Sequence, residues 1–305
     1  MELPTDYLAA IAEASLSDAT KASYVEGLKR IQRVVGRPYK WIVENPEAVD
    51  AALVAAIPNV GSRRTAVSSV LALLKHAGIK RGNRALFGRW YDLHKAMTAT
   101  LDDEAMDSQA RGRAADGYVT WDAVLAARDR ATPGTTAHLL LAMYTYIAPR
   151  RADYWRTRLV WSPPLPRRVG PAMIDMTTSP RPKLFVFEHK TAKAYDTFEK
   201  ELPDPLVEAI RAAAGGREYL FVRADGEPFA TRHAYTVFCN RILGAAVGAN
   251  VTVNSLRHAA AAANLLDPHR SLGEQTRFAE DMGHSMQMHQ VYRKVKPSSP
   301  AARTG

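Results

Sequence analysis

Cysteine is nearly missing from this sequence. Cys239 is the only one in 305 residues, so neither an intramolecular disulfide nor a cysteine-built zinc site can be drawn. Such a composition fits a reducing, intracellular compartment. Long apolar runs are missing as well, and none reaches the length of a membrane span. The opening residues, Met1-Glu2-Leu3-Pro4-Thr5-Asp6, have no basic n-region and no apolar h-region. The expectation is a chain neither secreted nor embedded in a membrane. No internal repeat or low-complexity segment is visible, and the alanine run at 259–263 reads as a tightly packed helix.

What is present is a globular balance with a basic excess. Hydrophobic residues make up 47% and charged residues 24%, enough apolar content to fold without a partner. Lys plus Arg outnumber Asp plus Glu by 41 to 31, for a formal charge of +10, which favours a polyanion as partner. Nucleic acid leads as that partner, ahead of an anionic membrane surface.

The length suggests two domains. Across the first hundred residues apolar positions recur at helical spacing, as in Tyr24, Leu28, Ile31 and Val35 before Gly36, and further helical runs cover 46–57, 62–76 and 86–101. This predicts a four-helix domain over 1–101. Its basic residues Lys29, Arg30, Arg33, Arg63, Arg64, Arg81 and Arg84 suit a phosphate backbone, although solvated faces are the commoner use of such charges. Segment 102–117, poor in apolar residues, reads as an exposed linker. A second domain over 118–305 begins with a helix capped by Thr120 and a strongly apolar helix over 138–148. Strand-like stretches follow at 157–161, 184–188 and 195–202, the last two as a hairpin. Helices resume at Asp204-Pro205 and continue over 231–247, 255–266, 271–282 and 286–294. The fold class is mainly α with a small antiparallel β-sheet.

Five segments of the second domain carry titratable or phosphate-binding groups: Pro149-Arg150-Arg151-Ala152-Asp153-Tyr154, His189-Lys190-Thr191-Ala192-Lys193, Asn254-Ser255-Leu256-Arg257-His258, Met282-Gly283-His284-Ser285 and Val291-Tyr292-Arg293-Lys294. Each has an ordinary reading. Arg150 or Arg151 can cap a helix C-terminus, Lys190 and Lys193 can be turn lysines, and Arg257 can pair with Asp153. Asn254 reads as the N-cap of the 255–266 helix, His284 as a core or turn histidine and Tyr292 as a helical tyrosine. Taken together, their order and spacing resemble the tyrosine recombinase family. The resemblance spans about residue 118 to Tyr292, and the helical first half resembles that family's core-binding domain. The Pro-Arg-Arg-Ala-Asp-Tyr segment is most similar to integrases of viruses and eukaryotic mobile elements.

The resemblance implies a two-domain DNA clamp that cleaves and rejoins double-stranded DNA through a 3′-phosphotyrosine at Tyr292. The implied catalytic set is Arg150, Lys190, Asn254, Arg257, His284 and Tyr292, supported by Asp153 and His258. No metal and no cofactor is implied. The implied assembly is a homotetramer on two DNA sites, and the implied location is DNA-associated, in cytoplasm, nucleoid or host nucleus. Residues 293–305 are expected to be disordered without DNA. Two departures stand out. Asn254 occupies the place of the family's histidine three residues before the second arginine, and His284 lies one residue closer to Tyr292 than the family's commonest spacing.

The chemistry accounts for these residue types. Phosphoryl transfer to a tyrosine builds negative charge on the non-bridging oxygens, which two permanently charged planar forks, Arg150 and Arg257, can meet. His284 can donate a further hydrogen bond, and Lys190 can protonate the leaving 5′-oxygen. Asn254 cannot take up the tyrosine proton near neutral pH. Two other readings use the same residues: a type IB topoisomerase-like nicking-resealing enzyme, and a DNA-binding member of the fold with impaired catalysis.

Overall fold

The computed structural model describes residues 7–110, 119–163, 170–178, 181–188, 197–248 and 250–291. The chain divides into two compact units, Met1–Arg111 and Gly112–Gly305, each with its own apolar core. Among the described residues no helix is long and apolar enough to cross a membrane.

The first unit contains helices α1 (Ala9–Ala12), α2 (Asp18–Val35), α3 (Tyr39–Glu44), α4 (Pro46–Ala56), α5 (Val60–His76), α6 (Ile79–Gly82) and α7 (Arg84–Ala110). Four are the expected long helices. The other three are one-turn or short pieces that periodicity over 11 or more residues does not register. Local signals set the ends of the long ones. Ser17 accepts from the Thr20 amide at the start of α2, and Gly36 closes it at φ 66°, a left-handed position glycine takes without steric cost. Gly27 lets α2 approach α5, because a Cβ there would lie 2.1 Å from Ser69 Oγ. The core joins Ile11, Leu28, Ile31, Leu53, Val67, Leu73 and Trp90, with Trp90 Nε1 donating to the Val43 carbonyl at 2.9 Å.

Residues 102–110, read from sequence as the start of a linker, are the last turns of α7. Low apolar content suggested a loop, but Leu101, Glu104, Ala105, Met106 and Gln109 are strong helix formers and continue a helix already nucleated. Residues 111–117 of the expected linker lie outside the described residues.

The second unit opens with α8 (Trp121–Arg130), capped by Thr120 as expected, and α9 (Thr136–Thr145), capped by Thr135. Helix α9 carries six consecutive buried residues from Leu139 to Tyr144. It stops at Thr145 rather than reaching 148, since Pro149 disfavours helical backbone at the residue before it. A 3-10 turn (Ala152–Tyr154) leads into β1 (Thr157–Val160), β2 (Ala172–Asp175), β3 (Lys183–Val186) and β4 (Phe198–Glu201). The sheet order is β1-β2-β3-β4. The expected β3–β4 hairpin is present, with Val186 paired to Phe198 and Lys183 to Glu201.

The sheet is small but mixed: β2–β3 and β3–β4 are antiparallel, whereas β1 and β2 run parallel. Strand β2 was not anticipated, because Ala-Met-Ile-Asp has little β-branched or aromatic content. Helices α10 (Asp204–Ala214), α11 (Arg232–Ala246), α12 (Val253–Leu266), α13 (Leu272–Asp281) and α14 (Met286–Val291) complete the unit. The core gathers α8 to α12 and the inner sheet face, including Leu140, Tyr144, Ile174, Leu184, Ile210, Phe221 and Tyr235.

Candidate active site

The segment between α9 and the 3-10 turn is braced on both sides of Arg150. Tyr144 donates its hydroxyl to the Arg151 carbonyl at 2.9 Å, and Tyr154 donates to the Ala148 carbonyl at 3.5 Å. The two rings meet edge to face at 5.3 Å. Arg150 therefore leaves a fixed stretch of irregular backbone past the end of α9, and its side chain is 2% exposed. Its Nε donates to Asp153 Oδ2 at 3.3 Å and its Nη1 to the Asp281 carbonyl at 2.7 Å. The Phe198 ring of β4 lies 4.1 Å from the guanidinium carbon, a cation–π contact worth most where water is excluded.

Arg257 comes from α12 and is fully buried. Helix α12 starts two residues earlier than sequence suggested, at Val253. Thr252 is its N-cap, in a reciprocal capping box with Ser255, so the N-cap reading of Asn254 is corrected. Threonine takes that role because its hydroxyl reaches the Ser255 amide at 3.1 Å, an orphan donor of the first turn. Asn254 sits exposed in that turn, three residues before Arg257. Arg257 Nη1 donates to the Pro149 carbonyl at 2.8 Å, 108 residues away in sequence, and to the Met282 carbonyl at 3.1 Å. The adjacent carbonyls of Asp281 and Met282 thus each take one N–H from one of the two arginines.

The end of α13 makes this convergence possible. Gly283 adopts φ 73°, its N–H meets the Glu280 carbonyl, and the His284 N–H meets the Ala279 carbonyl at 2.9 Å. This is the Schellman pattern that needs a left-handed residue after the helix. It turns His284 inward, to 4% exposure, where Nε2 contacts Arg257 Nη2. A guanidinium only donates, so Nε2 accepts there and the ring proton resides on Nδ1. Burial first, then the charges of Arg257, Arg151, His289 and His258, push the His284 pKa down to about 3. His284 is therefore neutral near pH 7. Met282, Ala148, Ala261 and Phe278 pack together beside this junction.

Three further residues join the network, of which sequence pointed only to His289, as an alternative base beside His258. His289 of α14 is fully buried, with Nε2 3.0 Å from Asn264 Nδ2 and its pKa lowered to about 4 by burial and then Arg257. Lys200 of β4 donates to Asp281 Oδ2 at 2.6 Å. Arg232, the first residue of α11, places Nη1 3.9 Å from Asp153 Oδ1 and donates from Nη2 to the Glu188 carbonyl at 3.2 Å. A lone Lys or Arg in a strand or helix carries no local signal, and only tertiary placement reveals these partners. His258, expected in support, is half-buried on α12 and contributes to the field at His284.

Arg150, Arg257, His284 and Asp153 are thus brought into one network. Lys190 and Tyr292 lie outside the described residues, as does the 293–305 tail. In the first unit Lys29, Arg30, Arg81 and Arg84 are exposed. Arg33 is exposed and paired with Glu26. Arg63 and Arg64 are half-buried, and Arg63 donates to the carbonyls of Ile57 and Pro58 at 2.6 and 3.0 Å. Among the described residues no group of three or more His, Cys, Asp or Glu is placed to hold a metal ion.

The network suits an anion. Four cations gather round two carboxylates: Arg150 and Arg232 face the Asp153 side chain, Lys200 pairs with the Asp281 side chain, and Arg257 donates to the Pro149 and Met282 carbonyls beside them. Burying guanidinium groups costs several kcal/mol each even when hydrogen-bonded, so the arrangement is a poor device for stability and a good one for a preorganised oxyanion.

No protein-family model matches the chain, and no curated protein matches it. Solved structures that align with it include XerA recombinase, with 15% identity, 95% of this chain and 94% of that chain covered, and a TM-score of 0.41. Another is a protelomerase covalently complexed with substrate DNA, with 12% identity, 94% of each chain covered and a TM-score of 0.42.

Proposed function

We propose that the protein is a site-specific DNA recombinase that cleaves and rejoins strands through a phosphotyrosyl intermediate at Tyr292. The observation that carries this reading is the convergence of Arg150 and Arg257 on the consecutive carbonyls of Asp281 and Met282, two residues ahead of His284. Three sequence-distant segments with the residue types of strand-transfer chemistry meet at one point.

In this reading the two guanidiniums hold the non-bridging oxygens of the scissile phosphate and stabilise the charge that grows on them. Tyr292, the next residue after α14, attacks phosphorus. The P–O bond to the 5′-oxygen breaks as the 3′-phosphotyrosyl bond forms, and Lys190 supplies the proton that the leaving oxygen takes. A 5′-hydroxyl from a second strand reverses the step. Neutral His284 donates to the phosphate from Nδ1 while Nε2 accepts from Arg257, or from Nε2 once Arg257 turns to the substrate. Asn254 leaves the phenol without an imidazole base at that position. The exposed Lys29, Arg30, Arg81 and Arg84 serve as backbone-phosphate contacts, and the assembly on DNA is a homotetramer on two duplexes. A viral or mobile-element integrase is the biological setting most consistent with the arginine segment.

The test is covalent trapping on nicked duplexes drawn from the DNA flanking the gene. Wild-type protein should give an SDS-resistant adduct, and Tyr292→Phe should bind equally and give none. An adduct persisting in the Phe variant would place the nucleophile elsewhere. Lys190→Ala should fail on ordinary DNA yet cleave a substrate with sulfur at the bridging 5′ position, whose leaving group needs no acid; rescue of Lys193→Ala instead would move the acid to Lys193.

A further inference from the structure

We propose that Arg232 is a further positioning residue of this site, anchored on the Glu188 carbonyl just past β3 and acting through Asp153 to seat Arg150. This role rests on the strand-cleavage reading above. Arg232 opens α11 just after its N-cap Thr231, whose side chain accepts from the Ala234 amide at 3.1 Å. A cation in the first helical turn opposes the helix dipole, so helix stability gives no reason for arginine at this position. Its two contacts give one. Nη1 faces Asp153 Oδ1 at 3.9 Å while Nη2 donates to the Glu188 carbonyl at 3.2 Å.

Asp153 is the bridge. Its other oxygen, Oδ2, accepts from Arg150 Nε at 3.3 Å, and its side chain is only 7% exposed. A carboxylate gripped from one side can swing about χ2, a broad and soft torsion. Cations on both oxygens remove that freedom. Arg232 is 40% exposed and stands at the outer end of the relay, whereas Arg150 stands at the inner end. Arg150 also meets the Phe198 ring and the carbonyl of Asp281, a residue whose side chain is held by Lys200 at 2.6 Å. The inner arginine is thus held by two anchors, and Arg232 supplies the one that reaches it by charge alone.

The experiment measures single-turnover adduct formation on a nicked duplex from the DNA flanking the gene, and DNA affinity over a range of salt, with the full chain. Arg232→Ala should slow cleavage about 10- to 100-fold, the scale of a misplaced catalytic group. The slope of log affinity against log salt should stay unchanged. Arg232→Lys should recover most of the rate by restoring a cation opposite Asp153. In an Asp153→Asn background, Arg232→Ala should cost less than about threefold, because the two substitutions break one relay.

A slope reduced by about 0.9, the value for one lost phosphate contact, with losses that multiply in the Asp153→Asn background, would instead make Arg232 a DNA-contacting group. A Lys variant as slow as the Ala variant, or an Ala variant as fast as wild type, would overturn the role while leaving the strand-cleavage reading intact. Failure of wild-type protein itself to form the adduct would overturn that reading, and the role of Arg232 with it.

Discussion

The two units bury different kinds of side chain. Among the described residues, Ser69 is the one buried polar side chain of the first unit, whereas the second buries Arg150, Asp153, Thr157, Asp175, Arg257, Asn264, His284 and His289. Both have ample apolar cores, so the second does not need these groups in order to fold. Their burial carries a desolvation cost that the first unit avoids. The contrast teaches where to look for chemistry: in the unit that tolerates buried charge, at the point where sequence-distant segments share it.

Replacing a buried charge should therefore separate activity from stability. Arg257→Met should cut cleavage by about 1,000-fold, at the upper end for removing one oxyanion donor. Its stability cost, read from the urea midpoint of the second unit, should be smaller, about 1–3 kcal/mol for the Pro149 and Met282 carbonyls left without their donor, partly offset by the desolvation cost an apolar residue avoids. A matching fall in midpoint would make Arg257 a structural residue first.

In the first unit the reverse is expected. Leu73 is fully buried in its core, and Leu73→Ala should lower stability by about 3 kcal/mol through lost burial and the cavity left behind. Chemical denaturation followed by Trp90 fluorescence would measure it. A loss below about 1 kcal/mol would indicate a site able to collapse around the missing atoms.

Acid should divide the units next. The pKa values of His284 and His289 are held down, to about 3 and about 4, while an unfolded imidazole titrates near 6.5. Between those values the unfolded chain binds more protons, so stability that is complete above about pH 6.5 falls as pH drops toward 4. His94 in the first unit is lowered in the same direction, by partial burial and then Arg64, but it stands alone there. Urea midpoints between pH 7 and 5 should fall more for wild type than for His284→Gln/His289→Gln. Equal slopes would contradict the account of these histidines.

The smallest effect should be the same in both units, because local helix chemistry does not distinguish them. Ser17 caps α2 and Thr120 caps α8 through equivalent side-chain acceptors. Alanine at either should cost about 1 kcal/mol in a melting experiment.

This division also explains what was legible in the amino-acid sequence. Helices with caps and terminators, such as the one between Ser17 and Gly36, declare themselves locally. The hairpin was legible too, and motif order singled out the segments of Arg150, Arg257 and His284 that the fold brings together. Strand β2 stayed hidden because Ala-Met-Ile-Asp becomes a strand only by pairing with β1 and β3. The end of α7 was misread because low apolar content does not stop a helix. Arg232 and Lys200 were invisible because their roles depend on partners 79 and 81 residues away, Asp153 and Asp281. The capping of α12 by Thr252 shows the finer limit: Asn254 and Thr252 are both good caps, and only the backbone decides between them.

The most direct test of the central claim, that the buried arginines neutralise a scissile phosphate, removes the phosphate's charge instead of theirs. Single-turnover cleavage by wild type and Arg257→Met would be compared on ordinary duplex and on duplex with a methylphosphonate at the scissile position. The account predicts that the deficit of Arg257→Met shrinks by at least about tenfold on the neutral linkage, where less charge needs stabilising. An equal deficit on both substrates would contradict it.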